Sequence, residues 1–482
     1  MTPRRQKNGR VVASPEPLRV ANPHAAGIDV HAVVHWVAVP PNHVAAAKCM
    51  DAGAGDAANL PPHVRKFGTC TADLELLADW LHQCGITSVA MESTGVYWIP
   101  LFELLERRGF QVYLVDPRQT KHAPGRPKTD VLDCQWIQRL HSYGLLTASF
   151  RPEDQVVVLR GYLRQRHMLI RYAGQHVQHM QKALEQMNVK LPEVVSDITG
   201  VTGLAIIKAI LAGERAPRKL AKLRDERCKR TEVEIARALQ GNWREEHLFA
   251  LKQALELYQD YEHLLRECDV KLEAHLATFA DKSGGQKLEP KPRRCGRRHN
   301  EAAFAVRSAL HRMSGHDLTV LEGIDDNTAL VILSEIGMDM SKWPTEKHFT
   351  SWLGLCPQHQ GSAGKIKSRR VRRGSNLAAR AFRLAAQGCH HAKNALGAFY
   401  RRIQARCGGI KAVFATARKI AERVYRLLKY GTEYVRQGIE AYEKAYRERL
   451  LKGLTYRAKS LGYALIALPE APPSTEATPA TL

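Results

Sequence analysis

The pattern of apolar and polar residues changes near residue 150. Before that point, short apolar runs alternate with segments whose apolar residues have helical spacing. These runs predict five strands. Two of them lie within 26–39, and the other three lie at 64–70, 88–92 and 111–116. The helical spacing predicts helices at 73–84, at 97–108, where Gly109 ends the helix, and at 130–143, where Thr129 can cap it. This order of elements predicts an α/β domain over residues 22–150.

After residue 150 the pattern predicts helices. Apolar residues recur at seven-residue intervals over 156–187 and again over 248–276, which is typical of coiled-coil seams. Arg166 interrupts the first seam, and Glu262 and Asp269 interrupt the second. Two arrangements stay open, namely pairing of the two helices within one chain and pairing between chains. Further along, the pattern predicts a basic linker at 284–299, a helical block at 302–465 and a disordered tail at 467–482.

Composition is ordinary for a globular protein, but the charge is not. The 482 residues carry 72 Lys and Arg against 48 Asp and Glu, a net charge of +24, which favours a nucleic-acid partner. The excess is uneven, because residues 22–150 have a net charge of −2 and residues 300–482 one of +14. The chain contains no run of about 18 apolar residues, no apolar signal-peptide core and no C-x-x-C pair among its ten cysteines. We therefore expect a cytoplasmic protein without a membrane anchor.

Four acidic residues fall where a metal site is expected. Asp29 lies inside the first apolar strand and Glu92 ends a later one, and a charge in such a place is costly unless it is paired. Asp130 and Asp133 are three residues apart near a helix start, so they lie on one face. Each acid alone has an ordinary structural explanation. Together they predict binding of Mg²⁺, two ions of which would assist chemistry at a phosphodiester.

The C-terminal block contains a second candidate centre. Six of the nine residues from 365 to 373 are Lys or Arg and none is acidic, which favours binding of phosphate groups. Ser362 lies just before this run, in a stretch of small residues. A serine beside cationic groups can attack phosphorus, although a loop serine ordinarily stabilises a turn. The candidate contacts in the run are Lys365, Lys367, Arg369, Arg370, Arg372 and Arg373.

The motifs around the acids resemble the DEDD transposases of bacterial insertion sequences, specifically the insertion sequence 110 family. The resemblance rests on GIDVH at Asp29, MESTGVYW at Glu92 and VDPRQTKHAPGRPKTDVLDCQWI, which contains Asp130 and Asp133. It implies a RuvC-like domain that holds Mg²⁺ through these four acids, and the predicted elements share the order of that ribonuclease H-like fold. The expected organisation is a basic tail (1–21), the RuvC-like domain (22–150), a helical coiled-coil region with the linker (151–300), a helical transposase domain (301–440), and a helical end with the disordered tail (441–482).

The resemblance also implies roles in the C-terminal block. The family carries a serine in a Pro-x-x-x-x-Ser context that links covalently to DNA, and Pro357 with Ser362 fits it, although Ala363 follows where Gly is usual. Ser368 and Ser375 are the alternatives. Asn376 and Arg380 match a Gly-Ser-Asn-x-x-x-Arg pattern expected along the DNA path. Their ordinary roles would be a helix cap and a solvated arginine.

The function implied is a recombinase that cuts and rejoins double-stranded DNA at element ends and target. The resemblance further implies a structured guide RNA and a homo-oligomer, either a dimer or a tetramer, although the sequence contains no RNA-recognition motif. Two other functions stay open from the residues themselves. One is a Mg²⁺-dependent RuvC-like nuclease that uses water, and the other is a non-catalytic architectural protein that binds nucleic acid.

Overall fold

The computed structural model describes residues 19–46, 60–93, 95–121, 129–290, 300–357, 360–362, 365–368, 371, 374 and 376–466. The chain divides into two compact units at Arg151 and Pro152. The first is a mixed α/β unit and the second is largely helical, in agreement with the predicted fold class at that level. Most of the predicted basic tail, part of the linker and the predicted disordered tail lie outside the described residues.

A five-stranded sheet forms the centre of the first unit. The strands are β1 (Ala25–Val30), β2 (Val34–Ala38), β3 (Val64–Gly68), β4 (Ser88–Glu92) and β5 (Gln111–Val115). Their spatial order is β3-β2-β1-β4-β5. The pairs β1–β2 and β2–β3 are antiparallel, whereas β1–β4 and β4–β5 are parallel. All five predicted strands are confirmed, with ends that differ by at most two residues.

Helices cover both faces of this sheet. They are α1 (Thr71–Gln83), α2 (Trp98–Arg107), α3 (Pro117–Thr120) and α4 (Asp130–Ser142), with a 3-10 turn at Pro41–Ala46. The first two share one apolar cluster with β1 and β4, and α4 packs on the opposite face. Gly109 has a φ of +85° after α2, and Thr129 Oγ1 accepts a hydrogen bond from the backbone N–H of Leu132 at the start of α4. The predicted end of α2 at Gly109 and the predicted cap of α4 at Thr129 are therefore confirmed.

The second unit contains the remaining helices and one hairpin. The helices are α5 (Asp154–Gln186), α6 (Leu191–Val194), α7 (Val201–Leu211), α8 (Pro217–Ala221), α9 (Glu232–Ala238), α10 (Glu245–Ala277), α11 (Val306–Ser314), α12 (Asp326–Ile336), α13 (Glu346–Trp352), α14 (Leu377–Gly388), α15 (Ala395–Cys407), α16 (Gly409–Tyr430) and α17 (Thr432–Ser460). Strands β6 (Gln360–Ser362) and β7 (Lys365–Ser368) pair antiparallel. The prediction of an all-helical block from 302 to 465 was therefore wrong at this hairpin. Its strands have only three and four residues, too few to show the alternation of apolar and polar residues that identifies a strand in sequence.

The two long helices, α5 and α10, pack against each other within the chain and run antiparallel. Near one end, His275 Nε2 lies 2.8 Å from the carbonyl oxygen of Gln155. Near the other, the ring of His176 stacks on Tyr261. Of the two arrangements that the seams left open, the described structure contains the one within a chain, and Leu163 of the first seam is buried.

A buried ion pair joins the interruptions of the two seams. Arg166 Nε donates to Asp269 Oδ1 at 2.5 Å, and both side chains are at most 4% exposed. The backbone N–H of Ala303 also donates to Asp269, at 2.8 Å, and Arg166 Nη2 donates to the carbonyl oxygen of Asn300 at 3.1 Å. Arg166 and Asp269, one interruption from each seam, therefore pair with each other, and both also bond to the backbone of residues 300–303.

Among the described residues, no helix combines the length and the apolar character that crossing a membrane requires.

Candidate functional site

The sheet brings Asp29 and Glu92 to neighbouring positions on parallel strands. Ile28 of β1 is in register with Met91 of β4, so each acid comes one residue later, toward the carboxyl end of its strand. Because successive side chains alternate between faces, both acids lie opposite the α1–α2 cluster that contains Ile28 and Met91. That is the face covered by α4.

Gly27 allows α4 to approach this face closely. A Cβ atom at Gly27 would overlap the backbone of Cys134 and Gln138 in α4. The glycine in the GIDVH motif therefore has a packing reason, because any larger residue would push the helix away from β1. This close approach sets the start of α4 near the carboxyl end of the strand.

Asp130 and Asp133 lie in the first turn of α4. The positive end of the helix dipole favours carboxylates in this first turn, which lowers the cost of gathering negative charge. Asp133 and Glu92 are both close enough to Asp29 to raise its pKa. The structure thus brings all four predicted acids to one region of the first unit.

His31 belongs to the same cluster and was missed in the sequence. Its Nε2 lies 3.1 Å from Oδ2 of Asp29 and 3.6 Å from Oδ1 of Asp130. One possible ligand atom from each of these three residues lies within 4.8 Å of the other two. The signal was present, because His31 is the last residue of GIDVH and directly follows the strand that carries Asp29.

Burial dominates the electrostatics of Asp29. Burial raises the pKa of its carboxyl above the ordinary value, His31 opposes this rise, and the carboxylates of Asp133 and Glu92 add to it. A site that raises the pKa of a carboxyl in this way favours any cation that offsets the cost of its charge. Carboxylate oxygens and one imidazole nitrogen form a donor set that suits a divalent cation.

Two further residues support Glu92. The hydroxyl of Thr120 lies 3.0 Å from Oε2 of Glu92 and 3.1 Å from the carbonyl oxygen of Pro117. Trp136 of α4 donates its indole N–H to the carbonyl oxygen of Thr120 at 3.0 Å. These contacts connect β4, α3 and α4 directly around the acids. Both Thr120 and Trp136 fall within the long motif around Asp130. Neither was identified from the sequence, because a threonine and a tryptophan are not residue types that indicate a metal site.

In the second unit, Ser362 ends strand β6. Its backbone is in register with Lys365 at the start of β7, and an isolated antiparallel bridge joins Pro357 to Val371 beyond the hairpin. The serine is therefore the last described residue of β6 before the connection to β7, and Ala363 lies outside the described residues. Of the two alternative serines, Ser368 ends β7, and Ser375 lies outside the described residues.

The basic run is only partly described. The backbones of Lys365 and Lys367 form part of β7, while Arg369, Arg370, Arg372 and Arg373 lie outside the described residues. Asn376 caps α14, because its Oδ1 accepts from the backbone N–H groups of Ala378 and Ala379. Arg380 is exposed. Burial lowers the pKa of His167 on α5, and nearby Arg166 and Arg380 lower it further.

Two family models match the chain. A DEDD transposase model named for IS110 and described as a transposase matches residues 26–189. A model described as the transposase IS116/IS110/IS902 family matches residues 315–401. Together they cover slightly more than half of the chain, and they contain the acidic cluster and Ser362, respectively.

A curated relative from Streptomyces coelicolor is an insertion element IS110 uncharacterized 43.6 kDa protein. It is 33% identical over 119 residues, and the alignment spans 24% of this chain and 29% of the relative. The sheet with its acids and the two model matches define the class as the transposases of mobile DNA elements. Within that class, the chain belongs to the insertion sequence 110 family.

Proposed function

We propose that this protein is a DNA transposase that cuts and rejoins double-stranded DNA. The observation that carries the proposal is the meeting of Asp29 on β1 with Asp130 on α4, close to Glu92 and Asp133. These residues lie within the part of the chain that matches the DEDD transposase model. A role in phosphoryl transfer explains why a chain with a net charge of +24 gathers four acids in one place.

The first unit is proposed to have a ribonuclease H-like, RuvC-like fold. The support is the strand order β3-β2-β1-β4-β5, in which β1–β3 form an antiparallel meander and β4 and β5 extend it in parallel. The carboxyl ends of β1 and β4 carry Asp29 and Glu92, and such strand ends are the usual location of a ligand in sheets of this kind.

The four acids are proposed to hold Mg²⁺. When bound, Mg²⁺ supplies a Lewis acid that polarises the scissile phosphate and stabilises developing charge. Asp29 and Asp130 would hold the cation from two elements. Glu92, hydrogen-bonded to Thr120, and Asp133 would complete the carboxylate set. Gly27 and the cap at Thr129 keep α4 in place, and so keep Asp130 and Asp133 close to the sheet.

Ser362 is proposed as the nucleophile. Its Oγ would form a bond to phosphorus, lose its proton, and displace a deoxyribose oxygen that takes up a proton. Rejoining would reverse these changes with the hydroxyl of a second strand, so that the bond energy is conserved in the serine ester. The support is the position of Ser362 beside a turn that leads into the basic run, within the second family match. Lys365, Lys367, Arg369, Arg370, Arg372, Arg373, Asn376 and Arg380 are proposed to bind nucleic acid.

A guide RNA, a homo-oligomeric assembly and a cytoplasmic location complete the proposal. The net charge of +14 in residues 300–482 provides favourable electrostatics for binding both DNA and RNA. The family resemblance supports the RNA partner and the assembly.

The deciding experiment incubates the protein with element-end DNA, candidate RNA and Mg²⁺, and detects a covalent protein–DNA adduct on a denaturing gel. We expect adducts from the natural chain and from Ser341→Ala, a control in an exposed turn. Asp29→Asn and removal of Mg²⁺ should abolish cleavage, and Ser362→Ala should abolish the adduct and recombination while DNA binding persists.

Each contrary result points to a different error. Cleavage by Asp29→Asn at the natural rate would contradict the metal site. Recombination by Ser362→Ala would contradict a role of Ser362 as nucleophile and would favour hydrolysis by water. If Ser362→Ala is active but Ser368→Ala or Ser375→Ala is inactive, the nucleophile would instead be the serine whose removal abolishes activity. Binding to DNA without cleavage at any Mg²⁺ concentration would favour an architectural role.

A further inference from the structure

We infer that His31 is a ligand of the cation bound at the acidic cluster and gives this site a preference for Mn²⁺ over Mg²⁺. The inference rests on the proposed metal site and adds a residue outside the four acids. It concerns which ion the site selects, and it can fail while the carboxylate site stands.

The three donor atoms lie close to the spacing expected of ligands around one ion. His31 Nε2 lies 3.1 Å from Asp29 Oδ2 and 3.6 Å from Asp130 Oδ1. Ligand atoms about 2.1 Å from an octahedral ion are separated by about 3.0 Å when adjacent. The distances from His31 Nε2 to the two carboxylate oxygens are therefore close to those expected when the nitrogen and either oxygen bind the same ion.

A strand and a helix hold the three residues in place. His31 directly follows β1, so its backbone is held by the same strand that carries Asp29. Asp130 comes from α4, and Gly27 lets that helix lie close against the strand. The side chains of His31 and Asp130 are 43% and 49% exposed, whereas that of Asp29 is 13% exposed. The cluster is thus open to solvent on the side where an ion would enter.

The chemistry of imidazole decides the choice of ion. Mg²⁺ prefers oxygen ligands and retains its waters, whereas imidazole nitrogen suits transition metals, of which Mn²⁺ also accepts carboxylates. Replacing one oxygen donor by a nitrogen donor therefore favours Mn²⁺ relative to Mg²⁺. The competing explanation is that His31 only forms a hydrogen bond to Asp29 and positions its carboxylate without touching the ion.

Electron paramagnetic resonance of Mn²⁺ bound to the full chain separates these explanations. A nitrogen atom bound to Mn²⁺ modulates the electron spin echo of the ion. We expect this ¹⁴N modulation in the natural protein and its loss in His31→Ala and in His31→Gln. The matched control is His24→Ala, an exposed histidine just before the opposite end of β1, which should leave the modulation unchanged. Competition titrations should show that His31→Ala weakens Mn²⁺ binding at least about tenfold and Mg²⁺ binding much less.

The outcomes distinguish the inference from the proposed site. Tight Mn²⁺ binding without ¹⁴N modulation, or modulation that survives in both His31 variants, would overturn the role of His31 and leave the carboxylate site standing. Unchanged Mn²⁺ binding by Asp29→Asn would show that the ion binds elsewhere and would overturn both. Equal losses of Mn²⁺ and Mg²⁺ affinity in His31→Gln would refute the preference.

Discussion

Thr120 connects Glu92 to the rest of the acidic cluster. Its hydroxyl approaches Glu92 Oε2, and its carbonyl oxygen accepts from the indole of Trp136. A carboxylate that must bind an ion in a fixed orientation depends on such supporting contacts. Thr120 is itself buried, so it acts on the site through Glu92.

Thr120→Val removes the hydroxyl and keeps the shape of the side chain. We expect the affinity for Mn²⁺ to fall about tenfold or more, while the circular dichroism spectrum stays unchanged. Thr120→Ser, which keeps the hydroxyl, is the control. Titration with Mn²⁺ checks this, and equal affinities of the valine variant and the natural protein would contradict the role of Thr120.

Asn376 caps the N-terminus of α14 and is also proposed to contact DNA. Two substitutions distinguish these two roles. Asn376→Asp keeps an N-cap acceptor for α14, because Asp and Asn cap equally well, but it places a negative charge beside the proposed DNA path. Asn376→Ala removes the cap at a cost of about 1 kcal/mol.

If Asn376 contacts DNA, the aspartate variant should bind DNA more weakly than the alanine variant despite its more stable helix. Fluorescence anisotropy with labelled element-end DNA and thermal unfolding give the two readouts. Natural DNA affinity in Asn376→Asp would mean that the residue serves only as a cap.

At the scale of elements, the pair of α5 and α10 depends on one buried ion pair. Arg166 and Asp269 are almost fully buried, and each also bonds to the backbone of the segment 300–303. Removing one partner would leave a buried charge uncompensated. Leu163 of α5 is also buried within the chain, so a charge at this position is expected to destabilise the chain itself.

Asp269→Leu should therefore lower the free energy of unfolding by about 3–5 kcal/mol. Adding Arg166→Met should recover part of this loss, since the unpaired charge is then gone. Lys252→Met removes the exposed pair with Glu256 on α10 and should cost less than about 1 kcal/mol. Urea unfolding followed by circular dichroism measures all three, and similar costs for Asp269→Leu and Lys252→Met would contradict the expectation.

At the scale of the whole molecule, charge is divided along the chain. Residues 22–150, which contain the acidic cluster, have a net charge of −2, and residues 300–482 have one of +14. Attraction to phosphates is therefore expected mainly from the second unit. Each phosphate contact releases a counterion, so the number of contacts appears in the salt dependence of binding.

Changing Lys365 and Lys367 together to Gln should reduce the slope of log K against log salt by about 0.9 for each lost phosphate contact. The control changes Lys208 and Lys271, which are exposed on α7 and α10. Binding measured over a series of salt concentrations checks this. An equal change of slope in both double variants would mean that the hairpin has no particular part in DNA binding.

The amino-acid sequence was sufficient to predict the five strands and three of the helices of the first unit, and to select the four acids as candidates, but it did not predict α3 or the 3-10 turn. Alternation of apolar residues, the cap at Thr129 and the positive φ available to Gly109 are local properties, and local interactions decide where strands and helices begin and end. Asp29 could be selected because a carboxylate inside an apolar strand is anomalous in its immediate context.

The tertiary structure determines which of these residues meet. It joined Arg166 to Asp269, His31 to Asp29 and Asp130, and Thr120 to Glu92. It also revealed that α5 and α10 pair within one chain. The physical reason is that a periodic pattern indicates which face of an element is buried, whereas the packing of residues far apart in sequence determines what covers that face.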